Sequence, residues 1–240
     1  MARNFSLTHR LTQLYSKLMP APCLLCGIAS QQLPLCTDCI ADLPHLGHAC
    51  SRCAMPIDAG KLCGHCLSQP PEQDYSVSLF PYLDPVDRLI AAFKYHDKLY
   101  LSQLFGTLMS EQLQARKLPQ CLIPIPLYPS RLRQRGYNQS LELAKVLSTQ
   151  LAIPTSNDYL IRTRNTAPQT SLPFDQRKAN IERAFSLQQK TVPDHIALID
   201  DVLTTGHTAN AAAKCLRQAG ATTIEVWTIA RTISHDHILI

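Results

Sequence analysis

Asp200 and Asp201 stand side by side at the end of an unbroken apolar run, Ile196 to Ile199. Thr204, Thr205, Gly206, His207 and Thr208 follow within a few residues. Two adjacent carboxylates at a strand end suit the hydroxyls of a ribose, directly or through a hydrated Mg2+ ion. The threonine hydroxyls add hydrogen-bond donors, and a glycine lets the backbone approach a phosphate closely. An Ala-rich segment from 208 to 219, closed by Gly220, reads as a helix with a glycine stop. A strand, a loop of small residues and a helix start, in that order, expose free N–H groups and the positive end of a helix dipole to an anion. Strand, acid pair, threonine-rich turn and helix together distinguish this stretch from an ordinary βα turn.

A second chemistry lies upstream. Four C-x2-C pairs, Cys23/Cys26, Cys36/Cys39, Cys50/Cys53 and Cys63/Cys66, are separated by gaps of nine, ten and nine residues. Each pair turns two thiolates toward one point, and two pairs complete a tetrahedral zinc site. The spacing predicts two closed, structural zinc ions, one on Cys23, Cys26, Cys36 and Cys39 and the other on Cys50, Cys53, Cys63 and Cys66. An interleaved pairing satisfies the spacing too; the sequential one gives each half the dimensions of a zinc ribbon. His45, His48 and His65 lie among the pairs but are surplus to eight thiolates. So small a module has little core, so the metal must supply much of its folding energy.

A third group is basic. Between residues 129 and 183 nine Lys and Arg face four Asp and Glu, which accounts for the whole net charge of +5. Arg131, Arg133 and Arg135 precede Gly136, Asn138 and Gln139 in what reads as a basic loop running into a helix at 139–151. Guanidinium groups suit phosphate oxygens because they donate two parallel hydrogen bonds. Tyr128 and Tyr137 are placed to stack bases beside those arginines.

The elements that must position these groups follow from patterning. Residues 5–18 carry leucines at helical spacing among basic residues, a stripe that suits packing on the protein's own surface or rest on a membrane surface. The expected organisation is an N-terminal helix (1–22), a double zinc ribbon (23–70), a Pro-rich linker and an α/β domain (75–240). That domain divides into two cap helices within 75–118 and a core at 119–240. Strands are expected at 75–83, 121–126, 158–162, 184–187, 196–199 and 222–230, and the cap helices at 84–95 and 99–116. The polar stretch 163–183 has the character of a functional loop. Strands alternating with helices imply a mostly parallel sheet flanked by helices, with the site at the strands' C-terminal ends. No apolar stretch approaches the ~20 residues of a membrane span. The first residues lack the apolar centre of an export signal, and ten cysteines without one point to metal rather than disulfides. A cytoplasmic protein is expected.

Cysteine knuckles ahead of such a domain resemble the ComF family, also called GntX-like, of bacterial competence and DNA-utilisation proteins. The resemblance runs from about residue 23 to 232. It is carried by the knuckles, by Phe93-Lys94-Tyr95 and by the run Arg133-x-Arg135-Gly136-Tyr137-Asn138-Gln139. Arg162, Thr163, Thr166 and Gln169 continue it, with Arg177, Asn180, Ala184, Phe185 and the loop at 200–208. It implies a type I phosphoribosyltransferase-like α/β fold that takes phosphoribosyl diphosphate (PRPP) or a related nucleotide-like phosphate with Mg2+. Asp200 and Asp201 would hold ribose, and Thr204, Thr205, Gly206, His207 and Thr208 the 5-phosphate. Lys94, Arg131, Arg133, Arg135, Asn138 and Gln139 are then candidates for pyrophosphate or DNA. It further implies handling of single-stranded DNA in DNA uptake, with translocation proteins at the inner membrane as partners. An active phosphoribosyltransferase with an unidentified acceptor is the alternative. Thr204 stands where the 6-oxopurine enzymes commonly carry an Asp, and a threonine cannot serve as a general base at neutral pH. No catalytic residue is therefore assigned.

Overall fold

Two nine-residue strands, β7 (His195–Leu203) and β8 (Thr223–Arg231), are apolar on both sides and demand cover on both sides. They form the centre of a four-stranded, wholly parallel sheet in the order β3-β8-β7-β4, with β3 at Tyr75–Pro81 and β4 at Cys121–Pro124. The register pairs Ile196 with Ile224, Leu198 with Val226 and Ile123 with Leu198. The computed structural model describes residues 21–30, 33–95, 98–164 and 184–233. The expected N-terminal helix lies outside them, as does almost all of the polar stretch 163–183.

The helices are α1 (Thr37–Ala41), α2 (Gly64–Ser68), α3 (Val86–Tyr95), α4 (Leu101–Leu113), α5 (Pro129–Arg135), α6 (Gln139–Leu151) and α7 (His207–Gln218). α7 lays Ala209, Ala212, Ala213 and Leu216 on one face of the sheet, against Ile196, Leu198, Ile224 and Val226. Small side chains there let the helix lie close to the strands. On the other side α4 packs against α6 and β3, and α6 against β4 and β7. Gly106 of α4 is the contact point: a Cβ added there would lie 2.4 Å from Cγ1 of Val146. Residues 75–118 thus supply an edge strand of the main sheet as well as its covering helices.

Two local expectations change. The basic segment at 129–135 is a short helix rather than a loop, because Pro129 starts it and Gly136, at φ 81°, ends it in the left-handed conformation. The strands at 160–162 (β5) and 185–187 (β6) pair with each other, antiparallel, outside the main sheet. β6 contributes Phe185 to the α7 side of the core.

The chain divides into two compact units, residues 1–43 and 44–240. In the first, β1 (Ala21–Pro22) and β2 (Ala29–Ser30) make a small antiparallel pair around the first knuckle. In the second, the knuckles at 50–66 share a unit with the sheet. Ser76 at the start of β3 donates its N–H to Ser51 O at 2.8 Å and its hydroxyl to Arg52 O at 2.7 Å.

Candidate functional site

β7 runs on through the acid pair to Leu203, so Asp200 and Asp201 belong to the strand rather than to the loop after it. Each acid is held by a different element. Ser140, in the first turn of α6, donates its hydroxyl to Asp200 at 3.0 Å, and the Asp201 N–H donates to the same oxygen at 2.9 Å. Asp201 pairs with Lys94 at the end of α3, Nζ to Oδ1 2.8 Å, with side chains only 19% and 14% exposed. Burial, then the neighbouring charge of Asp201, pushes the Asp200 carboxyl up to about 7. Burial by itself would lower Lys94, but Asp201, with Asp200 and Tyr82 adding to it, outweighs burial and the lysine pKa is raised.

The loop follows at once. Thr204 and Thr205 are exposed, and Gly206 takes φ 80° at the N-terminus of the twelve-residue helix α7. No side chain caps that helix, so its first-turn N–H groups face the loop. His207 and Thr208 are half-buried in its first turn. A glycine in the left-handed conformation beside a helix start is the geometry of a backbone anion nest.

The basic candidates converge only in part. Asn138 is spent on architecture: its carbonyl accepts from the Ser140 N–H at 3.1 Å and its amide donates to Ile125 O at 3.0 Å. Gln139, 1% exposed, accepts from Arg135 at 2.7 Å and donates to Lys94 O at 3.3 Å, so it aligns Arg135 with Lys94. The Arg135 guanidinium lies 5.1 Å from the centre of the exposed Tyr95 ring. Arg133 is exposed on α5, whereas Arg131 is half-buried close enough to oppose the charge of Arg162. Tyr137 is unsuited to stacking a base, because its hydroxyl donates to Phe93 O and its ring packs on Phe93. Tyr95 supplies the exposed aromatic surface beside Arg135.

Two residues escaped the sequence reading. Ser140 follows its Asn cap closely, which reads as helix capping. Arg231 closes the apolar strand β8 and is 7% exposed. It donates from Nε to Cys53 O at 2.8 Å and from one terminal nitrogen to Leu203 O at 2.8 Å, Thr232 O at 2.9 Å and Thr204 O. A charge at the very end of a largely apolar strand was the available signal.

The cysteines assemble in sequential fashion, Cys23, Cys26, Cys36 and Cys39 in one cluster and Cys50, Cys53, Cys63 and Cys66 in the other, each with sulfurs within 4.8 Å of one another. Cys26 and Cys36, and likewise Cys53 and Cys63, are 3.6 Å apart. That is close to the edge, about 3.8 Å, of a tetrahedron with zinc–sulfur bonds of about 2.3 Å. Hydrogen bonding to Cys26 and Cys36 pushes the Cys39 thiol up, and burial followed by Cys53 does the same to Cys66. Thiols so crowded ionise together only around a cation, so both sets fit zinc. His48 is instead bonded to Gly60 O at 2.6 Å.

Residues 14–67 match the double zinc ribbon domain family. Among solved structures, the chain is similar to the glutamine PRPP amidotransferase from B. subtilis complexed with ADP and GMP. The identity is 19% and the TM-score 0.40, over 57% of this chain and 30% of that one. A purine phosphoribosyltransferase from Pyrococcus horikoshii Ot3 is similar at 18% identity and TM-score 0.35, over 56% and 87% of the two chains. Competence protein F of Haemophilus influenzae is 35% identical over 210 residues, 82% of this chain and 90% of that protein. DNA utilization protein YhgH of Escherichia coli K12 is 33% identical over 224 residues, covering 90% and 99%. Competence protein ComFC of Streptococcus pneumoniae is 27% identical, covering 87% and 99%. Likeness at this level across nearly the whole of both chains establishes that this protein belongs to the family of competence protein F and DNA utilization protein YhgH.

Proposed function

We propose that the loop at 204–208 binds the 5-phosphate of PRPP or a related phosphoribosyl ligand, and that the protein handles single-stranded DNA during DNA uptake. The observation that carries the ligand reading is the junction of β7 and α7. There an acid pair, a left-handed glycine and an uncapped helix start meet at the C-terminal end of a central parallel strand. Asp200 and Asp201 would hold ribose hydroxyls, and the same carboxylates would take a Mg2+ ion that accompanies a diphosphate and neutralises its charge. Lys94 and Arg135, both bonded to Gln139, would be the groups that meet a pyrophosphate. A phosphate that recruits Lys94 must draw it from Asp201, which leaves that carboxylate for the metal.

DNA handling rests on the basic helix α5, on the exposed Tyr95 beside Arg135 and on family membership. Cationic side chains follow a phosphate backbone, and an exposed ring gives a base a surface to stack on. Location in the cytoplasm, with translocation proteins at the inner membrane as partners, belongs to the same proposal. Among the described residues no helix is long and apolar enough to cross a membrane.

Calorimetry of the D200A/D201A variant tests the ligand site. Both hydroxyl partners go while the helix start stays, so PRPP·Mg2+ affinity should fall at least tenfold, about 1.4 kcal/mol. An unchanged affinity sinks the assignment. A second reading, phosphoribosyl transfer to an unidentified acceptor, is favoured by Asp200, whose pKa near 7 suits proton transfer. Product analysis with labelled PRPP and a panel of bases decides between the two.

A further inference from the structure

Among the described residues the buried guanidinium of Arg231 bonds to no carboxylate; its acceptors are backbone carbonyls, drawn from two places that sequence keeps far apart. Nε holds Cys53 O within the second cysteine cluster, at 2.8 Å. A terminal nitrogen holds Leu203 O and Thr204 O at the entrance to the loop. A cation 7% exposed needs a compensating field. The second cysteine cluster lies directly against it, through the Cys53 O contact. Four thiolates around one zinc ion keep a net negative charge, so a loaded cluster still favours the cation beside it.

The loop side of this contact has a geometric consequence. In a planar trans peptide the N–H points away from the C=O. By gathering the carbonyls of Leu203 and Thr204 onto one nitrogen, Arg231 turns the N–H groups of Thr204 and Thr205 to the opposite side. Two successive N–H groups that face one way beside a left-handed glycine form an anion nest. Arg231 therefore touches neither phosphate nor ribose, yet it sets the donors that would.

We propose that Arg231 is a positioning residue that makes the shape of the phosphate loop depend on zinc at Cys50, Cys53, Cys63 and Cys66, so that this cluster governs ligand binding as well as folding. The coupling rests on the reading of 204–208 as a phosphate loop. By reciprocity, a ligand in the loop must tighten the hold on the second zinc by the same factor.

The test uses the full-length protein with two readouts that do not require activity. Hydrogen exchange of amides 203–208 is measured in wild type, R231K and R231M, each with its zinc content determined. With both zinc ions retained, R231M should exchange at least tenfold faster in this segment than wild type, while β4 and β8 stay protected. R231K, which keeps the charge but not the fork, should fall between. Unchanged loop exchange in R231M, or acceleration spread evenly over the sheet, overturns the proposal.

Should R231M not fold, the Cys36→Ser variant, with its second cluster intact, is titrated with a chelator. Loop exchange should then rise in step with zinc loss and before β7 opens; a loop indifferent to zinc overturns the coupling. PRPP·Mg2+ should slow that zinc release at least threefold in Cys36→Ser and by a smaller factor in Cys36→Ser/R231K. If the loop responds to zinc but wild type binds no PRPP, the ligand reading fails and the coupling stands. If wild type binds PRPP and the loop ignores zinc, the coupling fails alone.

Discussion

Replacing Lys94 with Met probes the electrostatics at the centre of the site. Its Nζ lies 2.8 Å from Asp201, in a pair that is 19% and 14% exposed. Breaking a buried pair from one side strands the other charge and costs about 3–5 kcal/mol; the residual exposure here puts the expected loss near 3 kcal/mol. For a unit of this size each kcal/mol lowers the melting temperature by about 2–4 °C, so a drop of roughly 6–12 °C is expected at pH 8. The pH dependence then identifies the cause. Asp200, raised to about 7 by burial and by Asp201, is held down by Lys94. When folded it keeps a proton that the unfolded chain releases near pH ~4, so its contribution to stability declines as pH rises from ~4 to about 7. Removing Lys94 raises that carboxyl further, which deepens the decline and extends it to higher pH. Thermal and urea unfolding at pH 5 and pH 8 should therefore show a larger deficit for K94M at pH 8 than at pH 5. A deficit below about 1 kcal/mol at pH 8, or one equal at the two pH values, refutes the reasoning.

Three further outcomes are expected. Elemental analysis should find two zinc ions per chain, and Cys36→Ser should lose one of them while calorimetry still detects PRPP binding by the larger unit. G106A should lower the melting temperature, because overpacking against Val146 costs about 1–3 kcal/mol against at most about 1 kcal/mol of helix propensity gained; adding V146A should restore much of the loss. Replacing Arg131, Arg133 and Arg135 together with Ala should weaken single-stranded DNA binding more at low salt than at high salt. The slope of log affinity against log salt should flatten by up to about 2, or ~0.7 for each phosphate no longer neutralised. Wild-type binding that ignores salt counts against DNA handling.

Local chemistry determined a large share of this protein from the sequence alone. The eight cysteines declare their sites because each C-x2-C turn brings its two sulfurs together whatever the rest of the chain does. The apolar runs of β7 and β8 declare a sheet covered on both faces, and Gly206 with the Ala-rich stretch after it declares a turn into a helix, since each is a property of a few consecutive residues. The tertiary structure decided which residues face one another across long sequence distances. Tyr137 and Tyr95 are both aromatic neighbours of arginines, yet packing on Phe93 takes the first out of play and leaves the second exposed. Nothing in the sequence around Lys94 announces the partner the fold gives it, Asp201 at 2.8 Å. The strand at 160–162 has the same apolar look as the others, but its partner is β6, because pairing is chosen by hydrogen-bond edges that no single strand carries in its composition. Arg231 is the extreme case: its acceptors at residues 53, 203 and 204 come together only when β8 is seated beside both. A buried cation must be satisfied by whatever the fold brings within reach, and that is decided in three dimensions.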